Sequence, residues 1–113
     1  MDNETVLDKV IEKASECVPE LITEDLKMII LFGSYARGDY SEESDIDIAV
    51  LVNGDRETAD RYMEKLVRLS ADIDLDNMVV VNFICLPYSE YAEKKEYYPF
   101  YRNIESEGRV LYG

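Results

Sequence analysis

Four residues in the first half of the chain stand at spacings that chemistry can use: Gly33, Ser34, Asp45 and Asp47. They lie in the stretch LFGSYARGDYSEESDIDIAVLV, residues 31–52, where an apolar run breaks at Gly33-Ser34, a polar loop follows over 35–44, and a second apolar run opens with the two acids. Gly33 has no Cβ, so the backbone can turn tightly there and come close to a ligand. Ser34 adds a hydroxyl and an amide at the same turn. Asp45 and Asp47 are two residues apart. On a strand both would point to one face, with Ile46, Ile48 and Val50 pointing to the other. Two like charges side by side repel unless a cation sits between them. Clustered carboxylate oxygens suit a hard cation such as magnesium. A tight turn beside a paired-acid metal site is the equipment for holding a nucleoside triphosphate.

These residues need strands to position them, and the flanking runs have the right character. Residues 28–32 read as a short buried strand into the turn, and residues 45–52 as the strand out of it. Upstream, Val6, Leu7, Val10, Ile11, Ala14, Cys17 and Val18 fall at helical spacing over residues 4–18. Asn3 is placed to cap that helix, and Pro19 to end it or open the next segment. Residues 20–27 read as a connector with one helical turn. Downstream, Asn53-Gly54-Asp55 is a turn with Asp55 as N-cap, and Ala59, Tyr62, Met63, Leu66 and Val67 line one face of a helix over 56–70. Residues 71–77, ADIDLDN, carry Asp72, Asp74 and Asp76 at alternate positions. Residues 78–86 read as a third strand closed by Pro87. The spacing predicts a helix from Ser89 to residue 98, an interruption at Pro99, a short helix ending at Gly108, and a small strand over 110–112. The order is that of one α/β (α+β) domain over residues 1–113, a small mixed sheet flanked by helices.

Composition narrows the functions open to such a domain. The 113 residues are 47% apolar, enough for one compact core. Twenty-five acidic against twelve basic residues give a net charge of −13. That argues against gripping nucleic acid, which needs a basic footprint. It favours cations or a basic protein partner, or simply keeps the protein soluble. The absence of histidine excludes His-based acid–base catalysis and His metal ligands. Cys17 and Cys85 sit in apolar contexts and read as core thiols in a reducing compartment rather than a disulfide. No apolar run approaches the roughly 20 residues that span a bilayer, and the N-terminus lacks the basic start and apolar core of a signal peptide. The expected location is cytoplasmic.

Gly33-Ser34, ten intervening residues, then Asp45-Ile46-Asp47 resembles the GS-x10-D-x-D signature of the DNA polymerase β-like nucleotidyltransferase superfamily. Ala36-Arg37-Gly38-Asp39 and Ser44 narrow the resemblance to the minimal nucleotidyltransferases, small proteins often paired with HEPN-domain toxins. The motif covers about a fifth of the chain, and a looser likeness continues through YPFYRNIESEGRVLYG. The resemblance implies the nucleotidyltransferase fold. It implies that Asp45 and Asp47 bind magnesium, which grips the triphosphate of ATP, and that Gly33 and Ser34 contact the terminal phosphates. Arg37 could hold phosphate or acceptor, or pair with Asp39 or Glu42. Tyr35 could stack near the base or be a partly exposed aromatic.

Members of the family commonly add a third carboxylate on the next strand, as metal ligand and general base. Here residues 78–81 carry none, and Met78 stands near the expected place. Asp76 lies two residues earlier, on the same face if the strand extends back, and Asp74 two further. Asp76 is the preferred substitute. The function implied is magnesium-dependent transfer of AMP from ATP to a tyrosine of a HEPN-type toxin from a neighbouring gene, that is, an antitoxin. The alternative is a catalytically weak antitoxin acting by stoichiometric binding, which the missing acid and the negative charge favour. An antibiotic nucleotidyltransferase ranks lower, since nothing here supplies a drug-binding domain. Nine tyrosines, several of them C-terminal, could form an interaction surface or pack the terminal helices.

Overall fold

The structure, a computed structural model, describes the backbone from Asn3 and side chains from Val6 onward. The cap expected of Asn3 therefore lies outside the described side chains. Helix α1 (Asn3–Leu21) buries Leu7, Val10, Ala14 and Val18 and carries Pro19 inside its last turn instead of ending before it. A proline removes one N–H donor and crowds the carbonyl four residues back. So near the end only one helical bond is at stake, and the carbonyl of Val18 still accepts from the Ile22 amide at 2.9 Å. Strand β1 (Leu26–Phe32) then runs to the turn. The predicted loop over 35–44 begins with one helical turn, α2 (Ser34–Arg37), closed by Gly38 in the left-handed conformation.

Strand β2 (Ile46–Val52) pairs antiparallel with β1 and parallel with β3 (Val81–Pro87). A parallel pair requires a long crossover, which α3 (Arg56–Asn77) supplies. Asp55 caps α3 as expected, its Oδ1 accepting from the Thr58 amide at 2.9 Å. The helix does not stop at residue 70. Leu69 is followed one turn later by fully buried Ile73, so the apolar face continues through ADIDLDN to Asn77. Met78 ends it with φ 53° and is 95% exposed. The third strand accordingly starts at Val81 and takes in Pro87.

After β3 come α4 (Tyr88–Lys94) and α5 (Pro99–Glu107), with Pro99 opening α5 at a position that needs no N–H donor. The chain closes with β4 (Arg109–Tyr112) antiparallel to β1. The sheet order is β3-β2-β1-β4. Both of its faces are covered, which is why β2 reads as an unbroken apolar run. Ile46, Ile48, Val50 and Val52 join the core under α1 and α3, while Ala49 and Leu51 join the core under α4 and α5 with Leu86, Tyr91, Tyr101 and Ile104. This is the expected mixed sheet flanked by helices. Cys17 and Cys85 are both free, and burial pushes the Cys85 thiol up to about 12, leaving it protonated. Among the described residues no helix is long and apolar enough to cross a membrane.

Candidate active site

The alternation of β2 decides where its acids go. Asp47 has the parity of Ala49 and Leu51, so it points to the α4–α5 face of the sheet. Asp45 immediately precedes the strand and is exposed, whereas Asp47 is half-buried. On β3 the residue in register with Asp47 is Asn82. Its Nδ2 donates to Asp45 Oδ2 at 3.1 Å and to Asp47 Oδ1 at 3.4 Å. On the other side Asp47 lies in register with Phe32, the last residue of β1, whose ring meets Phe100 of α5 edge to face at 6.1 Å between centroids. The two acids thus sit together at one end of the sheet, on the face that α4 and α5 otherwise cover.

Gly33 brings the turn against them. It takes φ 76° and ψ −157°, and a Cβ on it would overlap Asp47 Oδ2. Only a residue without a side chain can approach the acid in this way. Ser34 follows as the first residue of α2, whose turn folds back by bonds from the Ala36 and Arg37 amides to the Gly33 carbonyl. Arg37 is exposed and gripped from two sides, its Nε by Asp39 at 3.2 Å and its Nη1 by Glu107 of α5 at 3.1 Å. Its charge still reaches Asp47. The Asp47 carboxyl is pushed above its usual range chiefly by burial, with Asp45 adding to the push, while the Asn82 amide and Arg37 pull it back.

The structure does not bring every expected residue to this place. The extended strand that would carry Asp76 to the acids as the third carboxylate does not form. Asp76 is in the last turn of α3, which packs on the opposite face of the sheet, and it borders a groove with Lys9, Glu12, Lys13 and Glu16 of α1. Asp74 is occupied structurally, its Oδ1 accepting from the Val81 amide at 2.9 Å. Met78 is not on a strand at all. Tyr35 is neither exposed nor open to a base, being buried and stacked on Tyr40 at 4.3 Å between ring centroids. Asn82, beside Asp47 in register, is not among the residues that the motif marks. The available signal was a single polar residue inside the run MVVVNFICL.

Among the described residues no group of three or more carboxylate, thiol or imidazole side chains could hold a metal. Two carboxylate oxygens nevertheless converge on one amide nitrogen, a position in which a cation can replace the donor. Magnesium is commonly bound by one or two carboxylates together with substrate phosphates, so Asp45 and Asp47 fit that ion.

Residues 11–112 match the nucleotidyltransferase domain family. The chain belongs to that family. This nucleotidyltransferase is 45% identical over 87 residues to a provisionally named protein adenylyltransferase of Methanocaldococcus jannaschii, a match covering 77% of this chain and 79% of the relative. Its fold is that of a provisionally named nucleotidyltransferase from Sulfolobus solfataricus, with a TM-score of 0.61 at 25% identity over 94% of this chain and 82% of the other. A toxin–antitoxin crystal structure with AMP-PNP shares the fold at a TM-score of 0.55 and 22% identity, covering 99% of this nucleotidyltransferase and 74% of that chain.

Proposed function

We propose that the protein is a magnesium-dependent adenylyltransferase that moves AMP from ATP to a hydroxyl of a partner protein. The observation that carries this is the convergence of Asp45 and Asp47 beside the Gly33 turn. In this reading Asp45 and Asp47 hold magnesium, which would screen the triphosphate and the charge developing on it. Gly33 and Ser34 let the terminal phosphates approach the backbone. The acceptor oxygen forms a bond to the α-phosphorus, the bond from that phosphorus to the bridging oxygen breaks, and pyrophosphate leaves with the electron pair. The acceptor's proton would pass to solvent or to a base of the partner, since Asp45 and Asp47 would hold the ion.

The partner we place opposite this site is a HEPN-type toxin, with a tyrosine as acceptor and the protein acting as its antitoxin in the cytoplasm. Support comes from the minimal-nucleotidyltransferase motif and from the protein adenylyltransferase name of the relative. The test is incubation with ATP labelled at the α-phosphate, magnesium and the product of the neighbouring gene. Label should appear on the partner and be lost with Asp45→Asn/Asp47→Asn. No label with either protein would refute the proposal.

A second reading is favoured by one observation: an amide, Asn82, stands where an acid would complete the site. There the protein neutralises its partner by binding alone. Full neutralisation by Asp45→Asn/Asp47→Asn would select it over chemistry.

A further inference from the structure

We propose that Asn82 is the third wall of the metal site, a neutral one that limits the site to a single divalent cation. This rests on the reading of Asp45 and Asp47 as metal ligands. The residue is fixed in place by its register beside Asp47 on a parallel pair of strands, not by a flexible loop. Its parity on β3 is that of Ile84 and Leu86, which face α4 and α5, so its side chain emerges on the same face as Asp47. Nothing else among the described residues adds a carboxylate there.

A side-chain amide carries two donors on nitrogen and an acceptor on oxygen, and a half-turn about its last bond exchanges them. In the structure Nδ2 stands between the two acids and donates to both. Those bonds offset part of the repulsion between Asp45 and Asp47 and keep their oxygens converged. With a cation between the acids, a donor facing it is unfavourable, and the half-turn offers Oδ1 in its place. A carboxylate at residue 82 would behave differently in both states. It would add a third negative charge to the empty cluster and would raise affinity for cations through ligand charge. Asn82 therefore trades cation affinity for weaker repulsion between the two acids, and among the described residues it leaves the site without a third carboxylate for the acceptor's proton.

The experiment compares wild type, Asn82→Asp and Asn82→Ala by manganese binding, followed through the resonance of free Mn2+ with and without a non-hydrolysable ATP analogue, and by thermal melting in chelator. Wild type is expected to bind one Mn2+ per chain in the presence of the analogue. Asn82→Asp should bind Mn2+ at least about tenfold more tightly, take up a second ion with the analogue, and melt lower than wild type in chelator but not in manganese. Asn82→Ala should also melt lower in chelator, with no gain in affinity. Two ions bound by wild type, or unchanged Mn2+ affinity in Asn82→Asp, would overturn the inference. Equal melting shifts for both variants with and without manganese would also overturn it, assigning Asn82 to the sheet alone. Failure of the activity proposal looks different: no AMP transfer by any of the three proteins while the manganese differences stand.

Discussion

Gly33 holds φ at 76° and has Asp47 Oδ2 where a Cβ would go, so a methyl group there faces both backbone strain and a collision. Gly33→Ala is expected to fold, since the turn lies at the sheet's end, but to bind ATP with magnesium at least about tenfold more weakly. Calorimetric titration with a circular-dichroism control reads this directly, and an unchanged affinity would place the ligand elsewhere. Asp47 supports a second prediction, with opposite signs for stability and activity. Burial and Asp45 hold its carboxyl above the usual range. Such an acid binds its proton more tightly folded than unfolded, so stability falls as pH rises from the ordinary carboxylate range, about 4, through the raised value. At neutral pH the ionised group is destabilising in the metal-free protein. Asp47→Asn should melt higher than wild type in chelator at pH 7, with the difference vanishing in acid, while AMP transfer falls by roughly two orders of magnitude or more. A lower melting point in chelator would show that the carboxylate is held by favourable contacts instead.

At the scale of elements, α5 grips the turn after Gly33 through an ion pair, Arg37 to Glu107. Both groups are partly exposed, so the pair contributes little to stability, yet it decides what Arg37 can reach. Glu107→Gln is expected to leave the melting temperature unchanged and to tighten ATP binding by about two- to fivefold, the equivalent of one exposed pair. No change in affinity would leave Arg37 as a surface cation with no part in phosphate binding. The same scale shows what could be read in advance. Strands β1 and β2, the Asp55 cap and the turn at Gly33 were legible, because apolar runs, a capping side chain and a glycine are local signals. The end of α3 was not. ADIDLDN alternates in charge and so mimics the period of a strand, while the residues that matter, Leu69 and Ile73, are four apart. Met78 then takes a left-handed conformation that glycine or asparagine usually marks, so no stop signal was present. Extending the third strand back over that segment carries Asp76 to the acids, whereas Asn82, polar within an apolar run, is placed beside Asp47 by pairing with β2.

For the whole molecule the dominant quantity is a charge of −13 with no histidine to titrate near neutrality. A field of that sign repels free nucleotide and nucleic acid and attracts a basic surface, acting on the rate of encounter more than on the lifetime of a complex. Two kinds of surface are available for a partner. One is the acidic exterior, and the other is the aromatic group of Tyr97, Tyr98 and Phe100, which are 62%, 50% and 46% exposed at the α4–α5 end. Phe100 meets Phe32, the register neighbour of Asp47, so a partner seated on the aromatics would also stand close to the acids. The two surfaces predict different responses to salt, because the Debye length falls from about 10 Å at 0.1 M to about 3 Å at 1 M while apolar burial is not screened. If charge steers the partner in and the aromatics hold it, the association rate with the proposed partner protein should drop by about tenfold or more between low and high salt, with the dissociation rate nearly constant. Phe100→Ala should then do the reverse, speeding dissociation and sparing association. Surface-plasmon kinetics across a salt series separates the two. An association rate indifferent to salt would remove the role given to the charge, and a dissociation rate indifferent to Phe100→Ala would move the contact away from the face that carries Asp47.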